Sequence, residues 1–409
     1  MKRRRVHGTD HTAQLRNAIT AALPERPFRV ELWDGRVLPS TTAGRGPTFR
    51  LRSPQALGHV LRAPGQLGVG RAYVSGALEV ADLDATLELV DSWRTPALDA
   101  RAKTRLAAGA VRAGALRRVP RRPAGELVPR GRRHSRDRDR RAVRHHYDVS
   151  NEFFALFLDS SMTYSCAIFS RGAQTLEEAQ ATKLELVCSK LGLEPGQRVL
   201  DVGCGWGSFA IHAATEYDVQ VTGITLSEPQ AALARKRADA AGVADRVEIR
   251  VADYRDLDGE GYDAIASIGM VEHVGAVNID AYASRLASLL TPGGRLLNHG
   301  IARLRHSDSE AGPFSERFVF PDAAPLHLSR VLSAIERAEL VTEHVEGFAG
   351  DYARTLREWA TRLDDALDRA VALAGPERAR VWRLYLRAAR RGFETGFTSV
   401  YQVLSRRPG

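Results

Sequence analysis

The feature that most constrains the fold is the run of residues 199–207, which reads VLDVGCGWG. A short strand pattern of aliphatic residues leads directly into three glycines, and a helical pattern begins near Ser208. Glycines at the end of a strand let the backbone approach a ligand closely and leave the first N–H groups of the next helix free to bind it. The run therefore predicts a parallel α/β sheet with a ligand at the carboxyl end of this strand.

The surrounding sequence predicts further strands and helices in alternation. Strand patterns cover residues 198–202, 220–224, 247–251, 262–268 and 295–298, and helical patterns cover 176–191, 228–241 and 279–290. Such alternation is typical of a doubly wound sheet with helices on both faces. Beyond residue 302 the pattern becomes helical at 325–338 and 353–390, which predicts helices that cover the active site.

Three zones of different composition divide the chain. Residues 1–100 contain short apolar segments between Gly and Pro turns and predict a small α/β or α+β domain, whereas residues 145–409 carry the α/β alternation. Residues 101–144 are dominated by arginine and interrupted by prolines. Two interpretations of this zone remain open: a solvated linker, or a basic arm that binds anionic phospholipid head groups. Its first part, 101–118, has the spacing of a basic amphipathic helix.

Charge and cysteine content limit the class of protein. The chain of 409 residues has a formal net charge of +10, so an anionic partner is expected. The sequence lacks an apolar run of the about 20 residues that a membrane-spanning helix needs, and the basic N-terminus lacks the apolar segment of a signal peptide. Three cysteines without a paired spacing argue against disulfides and a structural zinc site. We therefore expect a cytoplasmic protein without a metal.

Two details separate the glycine run from that of a nicotinamide site. The run is opened by an acidic residue, Asp201, and the second strand ends in GITLS at 223–227 without the acid that binds ribose in dinucleotide folds. This combination resembles the first motif of class I S-adenosylmethionine methyltransferases. Asp253 and Tyr254 follow the third strand, where such enzymes present groups to the adenine, and Tyr254 can stack on the base.

Several separate motifs together resemble the cyclopropane fatty acid synthase family, which includes mycolic acid cyclopropane synthases and enzymes that form 10-methyl branched fatty acids. The motifs are HYDVSN at 146–151, MTYSCA at 162–167, the glycine run, GMVEHVG at 269–275 and FAGDY at 348–352. The resemblance covers about residues 144–405. It implies a class I methyltransferase fold, Rossmann-like with a seven-stranded and mostly parallel sheet, and a helical cap. The preceding domain and linker are similar to those of phospholipid-acting members, since the mycolic acid enzymes are shorter.

The resemblance also implies which residues bind S-adenosylmethionine. They would be Tyr164 and Ser165 at its amino acid part, Gly203 and Gly205 at its methionyl and ribose portions, Thr225 and Gln230 at the ribose, and in addition Asp201, Asp253 and Tyr254. In this family a bicarbonate ion lies beside the transferred methyl and acts as the base. Its ligands would correspond to Cys166, Glu272, His299, Ile301 and Tyr352.

The resemblance predicts addition of one carbon to the cis double bond of an unsaturated phospholipid acyl chain, followed by closure of a cyclopropane ring. Three departures leave a second product open: Ser150 replaces a frequent glycine, Val271 replaces a frequent phenylalanine, and residues 297–301 read LNHGI where LHTI is the familiar form. The alternative is a hydride shift that gives a 10-methylene chain, which a reductase partner would convert to a methyl branch. The resemblance also allows a homodimer, and it predicts peripheral association with the inner face of the cell membrane.

The positive charge raises one alternative of another class, a nucleic acid methyltransferase. The position after the fourth strand reads GMVEH at 269–273, without an Asn-Pro-Pro-Tyr motif or an aromatic clamp for a flipped base. This favours a lipid acceptor over nucleic acid. A non-catalytic lipid-binding protein and a small-molecule methyltransferase are the remaining alternatives.

Overall fold

The computed structural model describes residues 10–43, 46–128, 131–139, 141, 150–257, 259, 261–306, 312–323 and 325–409. They form two compact units. The first comprises the described residues up to Glu126 together with Pro376–Leu384, and the second comprises Leu127–Gly375 and Tyr385–Gly409. The arginine-rich zone predicted at 101–144 is therefore divided between the two units. The first four residues of the HYDVSN motif, 146–149, lie outside the described residues.

The N-terminal unit combines helices with a small mixed sheet. Its elements are α1 (Ala13–Ala22), β1 (Arg29–Glu31), β2 (Val37–Leu38), β3 (Thr48–Leu51), α2 (Gln55–Arg62), α3 (Gln66–Val74), β4 (Leu78–Val80), α4 (Leu83–Ser92) and α5 (Ala100–Arg112). The strand order is β2-β1-β3-β4, in which β1 and β3 are parallel and the other neighbours antiparallel. The helical pattern seen in 101–118 corresponds to α5, which ends at Arg112.

A buried ion pair supports this unit. Arg71 on α3 donates two hydrogen bonds to the carboxylate of Glu126, at 2.8 and 2.5 Å. The Glu126 side chain is 0% exposed and that of Arg71 is 10% exposed. A guanidinium and a carboxylate in this two-point geometry form one of the stronger polar contacts in proteins. The pair therefore fixes the chain at Glu126 to α3.

A seven-stranded sheet forms the centre of the second unit. Its strands are β5 (Arg198–Val202), β6 (Gln220–Thr225), β7 (Val247–Val251), β8 (Tyr262–Ile268), β9 (Leu290–Arg303), β10 (Val341–Gly347) and β11 (Thr398–Arg406). The order is β10-β11-β9-β8-β5-β6-β7; β5 to β9 are parallel, and β11 is antiparallel to both of its neighbours. The predicted mostly parallel sheet is confirmed.

Helices cover both faces of this sheet. The helices are α6 (Asn151–Phe154), α7 (Leu176–Leu191), α8 (Ser208–Tyr217), α9 (Glu228–Ala240), α10 (Val271–Val274), α11 (Ile279–Leu289), α12 (Pro313–Phe318), α13 (Leu328–Arg337), α14 (Ala349–Asp365) and α15 (Leu367–Glu394). On one face, α7, α8 and α9 pack against sheet residues such as Val199 and Leu297. On the other, α11 and α13 pack against Leu200 and Leu296. Neighbouring residues of one strand thus enter different cores, as the pleat of a strand requires.

The helices predicted beyond residue 302 correspond to α13, α14 and α15. The last of these bends at Gly375, whose φ of 78° is left-handed, and Pro376 follows. In the part of the chain that the structure describes, no helix is long and apolar enough to cross a membrane.

Candidate functional site

The carboxyl end of β5 and the turn after it form one wall of a pocket. β5 ends at Val202, and Gly203, Gly205 and Gly207 have φ angles of 82°, 54° and 81°. L side chains rarely adopt such left-handed angles, so the turn itself requires glycine. The turn directs the N-terminus of α8 toward the sheet edge, where backbone N–H groups can bind polar atoms of a ligand.

All nine residues predicted to bind S-adenosylmethionine line this pocket. They are Tyr164, Ser165, Asp201, Gly203, Gly205, Thr225, Gln230, Asp253 and Tyr254. They come from the segment before α7, from the carboxyl ends of β5, β6 and β7, and from the start of α9. Such a gathering at the carboxyl ends of parallel strands is typical of ligand sites in doubly wound sheets. Which part of the cofactor each residue contacts stays a prediction.

A buried carboxylate and a buried ammonium group face the pocket. Asp201 is 2% exposed and Lys183, on α7, is 1% exposed, and both line the pocket wall. Burial raises the pKa of Asp201 to about 7 although Lys183 opposes this, and burial lowers the pKa of Lys183 to about 8. Oδ2 of Asp201 has no hydrogen-bond partner among the described residues. Because buried polar atoms are normally paired, this oxygen is suited to a hydrogen-bond donor of a ligand.

The end of β6 and the residues that follow β6 and β7 also line the pocket. Thr225 Oγ1 donates to Gln230 Oε1 at 2.8 Å, and Tyr254 is only 8% exposed. Arg255 donates to both oxygens of Asp253, at 2.9 and 2.6 Å. Burial acts against ionisation of Asp253, but the hydrogen bonds from Arg255 outweigh it and lower the pKa of the carboxyl. An ionised acceptor beside an aromatic ring can bind the hydroxyl and amino groups of a nucleoside.

Glu272 lies on α10, which follows β8, and His299 lies within β9 opposite Ile268, the last residue of β8. Oε1 of Glu272, on α10, accepts a hydrogen bond from the backbone N–H of Ile301 at 2.7 Å, and burial raises the Glu272 pKa to about 7. Burial, together with Lys183 and Lys190, lowers the pKa of His299 to about 3. Glu272 Oε2 and His299 Nε2 are buried, and neither has a hydrogen-bond partner within the described ranges. Two such atoms indicate a place for a small polar ligand.

A series of hydrogen bonds connects Cys166 and Tyr352, the other two predicted catalytic residues, to Ile301. Val400 pairs with Ile301 across β11 and β9, and its carbonyl accepts from the N–H of Phe348 at 2.9 Å. The Phe348 carbonyl accepts from Cys166 Sγ at 3.8 Å and from the N–H of Tyr352 at 3.0 Å. Cys166 is fully buried, and burial raises the pKa of its thiol. These hydrogen bonds link all five predicted catalytic residues. Among the described residues none of the five lines the pocket itself, but their chain neighbours Ser165, Met270 and His273 do.

Aromatic rings lie beside two of the predicted residues. The ring centroids of Tyr164 and Trp359 are 5.2 Å apart. Tyr352 lies 6.1 Å from Trp359 and 4.7 Å from Phe393. The faces of such rings attract a cation, and they do so more strongly when water is excluded. Tyr164 lines the pocket, so its ring can supply π-electron density to a positive charge there without the phenylalanine that Val271 replaces.

Sequence reasoning missed several polar residues of the site. Gln402 on β11 donates to His299 Nδ1 at 3.1 Å. Gln180 donates to the carbonyl of Ser165 at 2.9 Å, and Lys183 follows one turn later on the same inward face of α7. Each of these polar residues occupies a position that the apolar periodicity of its element predicts to be buried. That mismatch was the sequence signal that could have identified them as site residues.

Two departures from the family pattern have structural counterparts. Ser150 has a φ of 146°, in the range that favours glycine, and its hydroxyl accepts a hydrogen bond from the N–H of Phe153 at 3.2 Å. A side chain at position 300 would overlap Cγ1 of Val271. The glycine at 300 therefore leaves the space that the Val271 side chain occupies, so these two departures from the family pattern are sterically compatible.

Comparisons with known proteins find relatives along nearly the whole chain. The family model described as mycolic acid cyclopropane synthetase matches residues 134–403. A Mycobacterium tuberculosis protein named "Probable fatty acid methyltransferase" is 40% identical over 95% of this chain and 92% of its own length. The cyclopropane-fatty-acyl-phospholipid synthase of Escherichia coli K12 is 33% identical, with 87% of each chain covered. A mycolic acid cyclopropane synthase solved with SAH and CTAB has a TM-score of 0.62 at 33% identity, over 66% of this chain and 98% of that one.

Proposed function

Because this chain belongs to the mycolic acid cyclopropane synthetase family and is an S-adenosylmethionine-dependent methyltransferase, we propose that it transfers a one-carbon unit to the cis double bond of an unsaturated phospholipid acyl chain. The product that we propose is a cyclopropane ring. One observation carries this proposal: the pocket at the glycine turn adjoins a buried group in which Glu272 and His299 each have an unsatisfied polar atom. Methyl transfer would use the cofactor bound in the pocket, and loss of a proton would take place at the buried group of Glu272 and His299.

In this proposal S-adenosylmethionine occupies the pocket. Oδ2 of Asp201 would accept a hydrogen bond from the ammonium group of its methionyl part, beside Tyr164 and Ser165. Gly203 and Gly205 would admit the methionyl and ribose portions because neither has a side chain to obstruct them. The ribose and adenine would contact the end of β6 and the residues that follow β6 and β7, namely Thr225, Gln230, Asp253 and Tyr254.

The acceptor is a poor nucleophile, so the chain must supply position and charge stabilisation. Holding the alkene in line with the sulfonium methyl removes the entropic cost of bringing the two together. Transfer of the methyl leaves a carbocation on the acyl chain. The rings of Tyr164, Tyr352 and Trp359 lie near one another and would stabilise this charge in a pocket without water.

Loss of a proton from the new methyl group then closes the ring. The Glu272 carboxyl, whose pKa burial raises to about 7, is poised to hold or release a proton near neutral pH. A bicarbonate ion bound by Glu272, His299, Tyr352 and the segments at Cys166 and Ile301 would supply the base. The residues fit such an ion, since Glu272 Oε2 and His299 Nε2 are the buried polar atoms left unsatisfied in the described part of this group.

The N-terminal unit favours a phospholipid over a mycolic acid as the acceptor. The Escherichia coli phospholipid synthase aligns with 87% of this chain, whereas the mycolic acid synthase corresponds to only 66% of it.

Arg117, Arg118, Arg121 and Arg122 are exposed, and the chain has a net charge of +10. We propose that this basic segment holds the enzyme on the anionic inner face of the cell membrane, where each cation contributes about 1 kcal/mol. Binding to anionic vesicles should then weaken steeply as salt is added, because salt screens the attraction. Vesicle binding that does not change with salt concentration would contradict the proposal that this arginine-rich segment binds the membrane.

A 10-methylene chain is the second candidate product. It is favoured by the departures at Val271 and Gly300, which lie in direct contact at the base of the Glu272 helix. A hydride shift before proton loss would move the cation by one carbon and leave an exocyclic double bond. A reductase partner would then be needed to obtain a methyl branch.

Gas chromatography with mass spectrometry tests the proposal directly. The protein is incubated with S-adenosylmethionine and oleoyl phospholipid vesicles, and the fatty acids are then released and analysed. A gain of one CH₂ without remaining double-bond reactivity supports the ring, and a gain that keeps this reactivity supports the methylene product. Methylation of RNA in a parallel incubation, without any change in the lipid, would overturn the lipid assignment.

The base assignment needs a separate comparison. Glu272→Gln should bind S-adenosylmethionine with unchanged affinity but lose nearly all turnover, while Glu216→Gln, an exposed position on α8, should keep both. Activity of the unaltered protein should also fall in buffer depleted of carbon dioxide and return when bicarbonate is added. Full turnover of the Glu272 variant, or turnover indifferent to bicarbonate, would remove the corresponding part of the proposal.

A further inference from the structure

A chain of hydrogen bonds leads from His299 away from the reaction centre. Gln402, which is 0% exposed, lies directly opposite His299 in the β9–β11 pairing, and its side-chain amide contacts His299 Nδ1 at 3.1 Å. Lys190 Nζ donates to Gln402 Oε1 at 2.7 Å and to Glu346 Oε2 at 2.6 Å. Arg171 donates to the other oxygen of Glu346 at 2.7 Å. The ion pair between Glu346 and Arg171 thus fixes the outer end of this series of hydrogen bonds.

The chemistry of these groups fixes the direction of every hydrogen bond. A lysine ammonium has three donors and no acceptor, so the Gln402 atom that contacts Lys190 must be the amide oxygen. The NH₂ group of Gln402 must then face His299, and Nδ1 of His299 must be the acceptor. This orientation does not depend on distinguishing N from O in the amide, because only one arrangement satisfies Lys190.

We propose that Gln402 is a positioning residue that holds His299 as the neutral tautomer with its proton on Nε2. Nε2 is the buried ring nitrogen that is left without a partner in the described part of the site. His299 would therefore present one N–H donor to the reaction centre and could not accept a proton there. The inference deepens the proposed function and rests on it, since it assigns His299 to holding an anionic oxygen and leaves proton removal to another group.

The surroundings of His299 support a neutral ring. It is 2% exposed, and burial, Lys183 and Lys190 all lower its pKa, to about 3. Glu346, the acid in the chain, keeps its charge: burial raises its pKa, but the hydrogen bonds from Lys190 and Arg171 outweigh this and lower the pKa to about 2. Lys190 therefore has an ionised partner, and it stays oriented toward Gln402.

The decisive change is Gln402→Glu, which keeps the size of the side chain and reverses its role. A carboxylate can accept from Lys190 but cannot donate to His299, so Nδ1 must become the protonated nitrogen or the ring must take up a second proton. Selective ¹⁵N labelling of histidine distinguishes these states, because protonated and bare ring nitrogens resonate at different positions. A His299→Gln sample identifies the signals of His299.

The unaltered protein should show a bare Nδ1 and a protonated Nε2 at neutral pH. Gln402→Glu should show a protonated Nδ1 and lower kcat by about 10- to 100-fold, the usual effect of losing an orienting partner, with KM little changed. Gln220→Glu adds the same charge at an exposed position on β6 and should change neither the tautomer nor kcat.

Two further variants keep the test informative if Gln402→Glu does not fold. Lys190→Met removes the donor that orients the amide, so signals of the Nδ1–H tautomer should appear, and Gln402→Met should lower kcat without adding charge. A bare Nε2 in the unaltered protein would overturn the proposal, as would a Gln402→Glu variant with unchanged signals or with full kcat. The spectra do not require turnover, so they decide the tautomer even if the proposed acceptor is wrong.

Discussion

Replacing Glu272 by glutamine should remove a loss of stability that the unaltered protein undergoes as the pH rises from 5 to 8. Burial raises the Glu272 pKa from 4.5 to about 7, so the folded protein keeps a proton that the unfolded chain releases between these values. The free energy of unfolding therefore falls as pH rises through this window, and the loss is complete above pH 7. Glutamine carries no such proton and is insensitive to pH.

The magnitude follows from the two pKa values. Between pH 5 and pH 8 the Glu272 linkage should cost the unaltered protein about 2.5 kcal/mol, and the variant should lack this dependence. The difference between the two proteins should therefore grow by this amount, whatever its value at pH 5. For a unit of this size it corresponds to a relative rise of roughly 5 °C in the unfolding temperature.

Differential scanning calorimetry from pH 5 to pH 8, in buffer without S-adenosylmethionine or bicarbonate, measures this difference. Glu216→Gln changes an exposed carboxylate and serves as the matched control, whose difference from the unaltered protein should stay small across the range. If the unfolding temperatures of Glu272→Gln and the unaltered protein changed in parallel with pH, the reasoning would be refuted. Such a result would mean that burial does not raise the pKa of the Glu272 carboxyl group.

Three other substitutions test separate contacts. Asp201→Asn should raise the Kd for S-adenosylmethionine about 10-fold or more in isothermal titration calorimetry, since a charge-assisted hydrogen bond contributes about 1.5–3 kcal/mol; an unchanged Kd would contradict the assignment. Gly300→Ala should lower stability by about 1–3 kcal/mol through overlap with Val271, and adding Val271→Ala should recover part of the loss, whereas purely additive losses would argue against the contact. Arg71→Met should cost about 3–5 kcal/mol in urea denaturation because it leaves Glu126 charged and buried, and a loss below about 1 kcal/mol would mean that the pair behaves like a surface pair.

The central sheet could be predicted because its signals are local. The strands predicted at 198–202, 247–251 and 262–268 have the observed bounds, and so does the helix at 176–191. Each is a short run whose apolar periodicity and flanking turns lie within a few residues of it. The glycine turn at 203–207 was found for the same reason, since its left-handed angles require a particular residue type.

The polar partners of the site could not be predicted because they depend on contacts between distant parts of the chain. Gln402 lies 103 residues from His299, and only the register of β9 against β11 places them opposite each other. Lys183 and Asp201 belong to different elements, and the spacing of neither indicates the other. The assignment of 376–384 to the N-terminal unit likewise depends on tertiary packing; Gly375 and Pro376 mark the bend at which the segment begins, but they do not indicate which unit it joins.

The burial of the cysteines has a practical consequence for labelling the enzyme. Cys166, Cys188 and Cys204 are all of the cysteines in the sequence, and burial raises the pKa of each thiol. The thiolate is the nucleophile that attacks maleimide and iodoacetamide reagents, so the folded protein should react with them very slowly. A single cysteine introduced at Val277, which is 83% exposed, would then accept a fluorophore selectively, and the three native residues would not have to be removed first.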